Sequence, residues 1–169
     1  MSFVFFYFIL FYFLVYLRYR SSGPVFLNSA PKLRVASSII GNVCETFLAP
    51  LLYLYPSHTI TALAGRPAIP MRSADKQKVF DDHVAQLDII EGYAVRQGPY
   101  LTGKSMVACD VLLLPFFVYY VNFCHRLSKV LFAGRPKLKA WYQSMLADET
   151  AVQVVDSLKN AIVKNVNTK

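Results

Sequence analysis

At 169 residues the chain is long enough to bury one hydrophobic core, which suits a single domain. Hydrophobic residues make up 55% and aromatic residues 15%, which excludes a disordered chain and favours a helical globule, a membrane segment or both. The net charge of +8 comes from scattered basic residues, with no run longer than two. This scatter favours a solvated surface, and we predict no nucleic-acid partner.

The first segment, Ser2 to Leu17, carries no charge and consists almost entirely of Phe, Tyr, Leu, Val and Ile. As a helix it would be about 24 Å long, against roughly 30 Å of bilayer hydrocarbon. Because Arg18 and Arg20 follow it, a membrane anchor through residues 2–17 would leave the rest of the chain in the cytosol. The alternative is a start site placed too far upstream. The predicted division is an apolar segment 1–20, a linker 21–30 and a helical domain 31–165.

The first helix of the domain is predicted to follow Ser29, an N-cap residue type, with Pro31 in its first turn. Its apolar residues recur at helical steps of three, four and seven. They are Leu33, Ile40, Cys44, Phe47, Leu51 and Leu54. Pro50 should kink this helix, because its ring removes one backbone hydrogen bond. The stretch 56–71 contains glycine and prolines and predicts a connecting loop.

Two more helices are predicted on either side of Gly98-Pro99. The first starts near Ser73 and ends before these two residues. Its predicted buried face consists of Phe80, Val84, Leu87 and Ala94. The second, roughly 107–126, is apolar on nearly every side until Asn122, which places it at the centre of a helical bundle. Further helices are predicted over about 135–145 and 149–163, and no β-type alternation appears.

Two motifs in this part of the chain stand out. The first consists of Tyr100, Leu101, Gly103, Ser105 and Asp110, with Pro115 in the helix that follows. The second consists of Pro136, Leu138, Trp141 and Met145, directly after Gly134. In this order and spacing they resemble the C-terminal helical domain of glutathione S-transferases, closest to the omega and thiol-transferase-like members. The resemblance covers about residues 31–163 and implies an all-α bundle of about five helices.

Asp110 is predicted to have a structural role in this motif. Near the first turn of a helix, a carboxylate can accept unpaired backbone N–H groups and is favoured by the helix dipole. Where the family usually has a hydroxyl N-cap, this chain has Val107, so only half of a capping box is present. The missing cap should cost about 0.5–2 kcal/mol unless Ser105 replaces it. Gly103 and Trp141 complete the structural motif.

The resemblance implies glutathione as a cosubstrate, in thiol exchange or conjugation. In the family, the group that activates glutathione lies in a thioredoxin-like domain ahead of the helical bundle. The first thirty residues here contain no βαβ pattern and no Cys-Pro-x-Cys. We therefore predict no catalytic residue in this chain and expect the chain alone to be inactive.

Three positions correspond to the lining of the acceptor-substrate pocket in omega-like members: Pro50, Phe116 and Tyr119. Omega forms often carry an arginine where Tyr119 stands, which puts polar contacts to an acceptor in question. The alternative is that these side chains are ordinary core or interface residues, which is the more common role of buried aromatics.

The cysteines and histidines predict no metal site. Cys44, Cys109 and Cys124 are odd in number and form no Cys-x-x-Cys pair, which favours reduced, buried thiols. Cys124 and His125 would project about 100° apart on a helix, a poor arrangement for two ligands of one metal.

A different class of function is also open. Isolated bundles of this kind serve as docking modules in the gamma subunit of translation elongation factor one and in synthetase complexes. A bundle without its partner domain exposes an apolar face, and such a face marks an interaction site. The predicted partner is then another protein or a second copy of the chain.

Overall fold

The computed structural model of the chain describes residues 30–48, 73–95, 97–123 and 125–167. These ranges contain six α-helices and no β-strand, which confirms the all-α prediction. The helices are α1 (Pro31–Val43), α2 (Ser73–Tyr93), α3 (Ala108–Phe123), α4 (His125–Val130), α5 (Pro136–Ala147) and α6 (Glu149–Asn167). A π-helical turn, Cys44–Leu48, continues α1.

Several predictions lie outside the described residues. They concern the apolar segment 1–20, the linker apart from Ala30, the kink at Pro50 and the loop 56–71. In the ranges that are described, no helix is both long and apolar enough to cross a membrane.

Helix α3 forms the centre of the bundle, as its composition predicts. Every residue from Cys109 to Tyr120 is buried except Leu112, which is half-buried. The helix contacts α1, α4, α5 and α6. An apolar helix surrounded in this way buries nearly its whole circumference, which explains why it lacks an amphipathic pattern.

The buried stripe of α1 differs from the prediction at its C-terminal end. Cys44 is fully buried, but Phe47 is 48% exposed and Leu48 takes the core position instead. The cause is the π-helical turn, whose wider i→i+5 geometry shifts the phase of the helix. A regular 3.6-residue period therefore assigns Phe47 to the buried face, although its side chain is exposed.

The buried face of α2 is also rotated from the predicted one. The buried residues are Val79, His83, Leu87, Ile90 and, just beyond the helix, Ala94. The predicted Phe80 and Val84 are only half-buried. The ring of Phe80 lies under the guanidinium of Arg126, with Cζ 4.1 Å from the ring centroid. The prediction was wrong because a pattern built only from apolar residue types leaves out His83, which belongs to the buried face of α2.

The predicted helix over 107–126 corresponds to α3, which ends at Phe123, and to the start of α4 at His125, while Cys124 between them lies outside the described residues. After α4 the chain turns through Gly134, whose φ of 72° lies in the left-handed region. The side chain of the next residue, Arg135, is 96% buried and donates hydrogen bonds to carbonyls at the end of α4. The turn is thus fixed from inside by a charged side chain.

Candidate functional site

The carboxylate of Asp110 connects three parts of the bundle. Its Oδ1 accepts hydrogen bonds from the backbone N–H of Leu101 (2.8 Å) and from Nε1–H of Trp141 (2.9 Å). Its Oδ2 accepts one from the backbone N–H of Val107 (2.8 Å). Asp110 therefore ties the loop before α3 and the middle of α5 to the first turn of α3.

The surroundings of Asp110 set its protonation. Burial raises the pKa of Asp110 to about 6, and the three N–H donors oppose this rise. The neighbouring Cys109 has its pKa raised to about 12, first by burial and then by the charge of Asp110. A thiol this weakly acidic is a poor nucleophile. The site around Asp110 is thus suited to holding structure rather than to chemistry.

Two glycines in the loop before α3 bring two parts of its backbone close together. Gly98 has a φ of 116°, and a Cβ atom added to it would lie 2.3 Å from the carbonyl oxygen of Gly103. Tyr100 and Gly103 exchange backbone hydrogen bonds of 3.2 and 3.3 Å. Asp110 accepts the N–H of Val107, which is the half of the capping box that the sequence predicts to be present. The N–H of Asp110 donates to the carbonyl oxygen of Val107 at 3.0 Å, and Ser105 is exposed, so Ser105 does not supply the other half.

Two of the three predicted acceptor-pocket residues come together around Tyr120. Phe116 and Tyr119 are 2% and 3% exposed, and their ring centroids lie 6.4 and 6.3 Å from that of Tyr120. Pro50 lies outside the described residues. Both aromatic side chains therefore belong to the core of the described bundle, and their role in binding an acceptor stays a prediction.

His83 joins this group from α2 and was missed by the sequence analysis. It is fully buried, and its ring meets Tyr120 edge-on at a centroid distance of 5.7 Å. Its Nδ1 lies 2.9 Å from the carbonyl oxygen of Val79, so Nδ1 carries the proton. Burial lowers the pKa of His83, which keeps the ring neutral near pH 7. The signal available in the sequence is the i, i+4 spacing from Val79 to His83 to Leu87.

We name this group, His83, Phe116, Tyr119 and Tyr120, the Tyr120 cluster. It is aromatic and lies between α2 and α3. All four side chains are buried in the described bundle, and their aromatic character would suit an apolar or aromatic ligand better than a charged one.

Among the described residues, each thiol and phenol whose pKa is shifted has a raised pKa, which makes it less reactive. Burial raises the pKa of Cys44 and of Cys109, and it also raises the pKa of Tyr100 and Tyr142. A group that activates a thiol or acts as a nucleophile needs the opposite shift. No group of three or more His, Cys, Asp or Glu side chains in the described ranges could hold a metal ion.

Comparison with known families gives one match. A family model described as glutathione S-transferase, C-terminal domain, matches residues 58–154, which is more than half of the chain. The chain belongs to the glutathione S-transferase family. No curated protein and no solved structure gives a significant match. In this glutathione S-transferase domain the matched range includes both motifs, the one that ends at Asp110 and the one that contains Trp141.

Proposed function

We propose that this chain supplies the acceptor-binding helical part of a glutathione S-transferase-family protein of the omega or thiol-transferase-like type. The reaction would be glutathione-dependent thiol exchange or conjugation, with glutathione as the cosubstrate. Family membership supports the reaction class. The observation that supports activation of glutathione elsewhere is that Cys44 and Cys109 are fully buried, which raises the pKa of both thiols. Glutathione would then be activated by a group outside the described residues, in the reducing cytosol where such thiols persist.

The chain alone should therefore neither bind glutathione nor conjugate it. We expect no heat of binding when glutathione is titrated into the purified chain, and no conjugation of a chlorodinitrobenzene acceptor above the uncatalysed rate. Turnover well above that rate would show that the chain holds its own activating group and would overturn this part of the proposal.

The acceptor role can be tested separately at the Tyr120 cluster. The Phe116→Leu variant should weaken binding of an unreactive dinitrobenzene by roughly 0.5–1.5 kcal/mol, because one aromatic partner is lost. Equilibrium dialysis with optical detection of the nitroaromatic measures this change. The matched control is Phe132→Leu, an aromatic that packs on the core through Phe117 and Tyr142 instead. Equal binding by both variants and the wild type would remove Phe116 from the acceptor site.

A second candidate function is a docking module, and we commit to a second copy of the chain as its occupant. Ile89 and Tyr93 are 41% and 44% exposed and stand four residues apart on one face of α2. Two adjacent exposed apolar side chains on a helix are a feature of interaction surfaces. The same face on two copies could associate symmetrically, as in most homodimers.

If this face associates, light scattering after size-exclusion chromatography should give a mass that rises towards the dimer with concentration. The double variant Ile89→Glu and Tyr93→Glu should give the monomer mass at all concentrations. Val121→Glu with Leu146→Glu is the matched control, because these side chains are similarly exposed on α3 and α5. A wild-type chain that stays monomeric would exclude self-association, and a heterologous partner would then have to be sought.

A further inference from the structure

We draw no further inference here: the strongest candidate, the uncharged outer face of α1 that Val35, Ser38 and Asn42 form, carries nothing because nothing in the structure shows what covers it.

Discussion

Replacing Asp110 with alanine should lower the free energy of unfolding by about 3–5 kcal/mol, because three buried N–H groups lose their acceptor at once. Two of these donors are backbone groups, of Leu101 and Val107, and the third is the indole of Trp141. Asp110 is fully buried, so water cannot reach these donors without opening the loop or separating α5 from α3. The effect should therefore exceed that of losing an ordinary helix cap.

Urea unfolding, followed by circular dichroism, measures this change. Trp141 is the only tryptophan of the chain, so its fluorescence reports independently on the contact between α3 and α5. The control is Asp156→Ala, which removes an exposed carboxylate from α6 and should change stability by less than about 0.5 kcal/mol. A loss below about 1 kcal/mol for Asp110→Ala would contradict the central role of this side chain.

The same side chain predicts a pH dependence. Burial raises the pKa of Asp110 to about 6 in the folded protein, from its usual 3.8. Between these values the folded chain keeps a proton that the unfolded chain releases, so the stability contributed by this group falls as pH rises. Asp110→Asn does not titrate. The advantage of the wild type over Asp110→Asn should therefore shrink as pH rises from about 4 to about 6.

Burial lowers the pKa of His83, so the contribution of His83 to stability depends on pH with the opposite sign. His83 is present in both proteins, so its contribution cancels in the difference between them. A difference that grows with pH through this window would show that the three hydrogen bonds to the carboxylate outweigh its burial.

The fold could be predicted because its main signals are local. The apolar helix α3, Pro136 at the start of α5 and the loop glycines each act through their own neighbours in sequence. The errors came from features that a regular pattern of apolar residues does not include. The π-helical turn moved Phe47 out of the core, and a buried histidine, His83, occupied a position that an apolar pattern does not count.

The site was predictable in part, for a similar reason. The position of Asp110 in the first turn of α3 predicts that it accepts backbone N–H groups. Its bond to Trp141, thirty-one residues away, follows only from how α5 packs on α3. The approach of His83 to Tyr120 likewise depends on how α2 packs on α3. Which of these aromatic side chains would contact a ligand depends on how the helices pack together, and the sequence pattern does not include that information.

Replacing Arg135 with methionine should lower the free energy of unfolding by about 2–4 kcal/mol, mainly through lost hydrogen bonds to carbonyls. The Nη1 group donates to the carbonyl oxygens of Val130 (2.9 Å), Leu131 (3.3 Å) and Ala133 (3.3 Å). The Nη2 group donates to the carbonyl of Val84 on α2 at 3.2 Å. The last carbonyls of a helix have no partner within it, so Arg135 caps α4 and attaches it to α2.

The ion pair of Arg135 with Asp88, at 2.7 Å, should matter much less. The side chain of Asp88 is 62% exposed, and water already solvates its charge. Asp88→Asn should therefore cost less than about 1 kcal/mol in the same urea experiment, and added salt should reduce this cost because it screens the exposed charge of Asp88. If Asp88→Asn instead costs as much as Arg135→Met, the ion pair and not the carbonyl network holds the turn. The expected order of the two variants follows from burial: the stabilising bonds of Arg135 are those that water cannot replace.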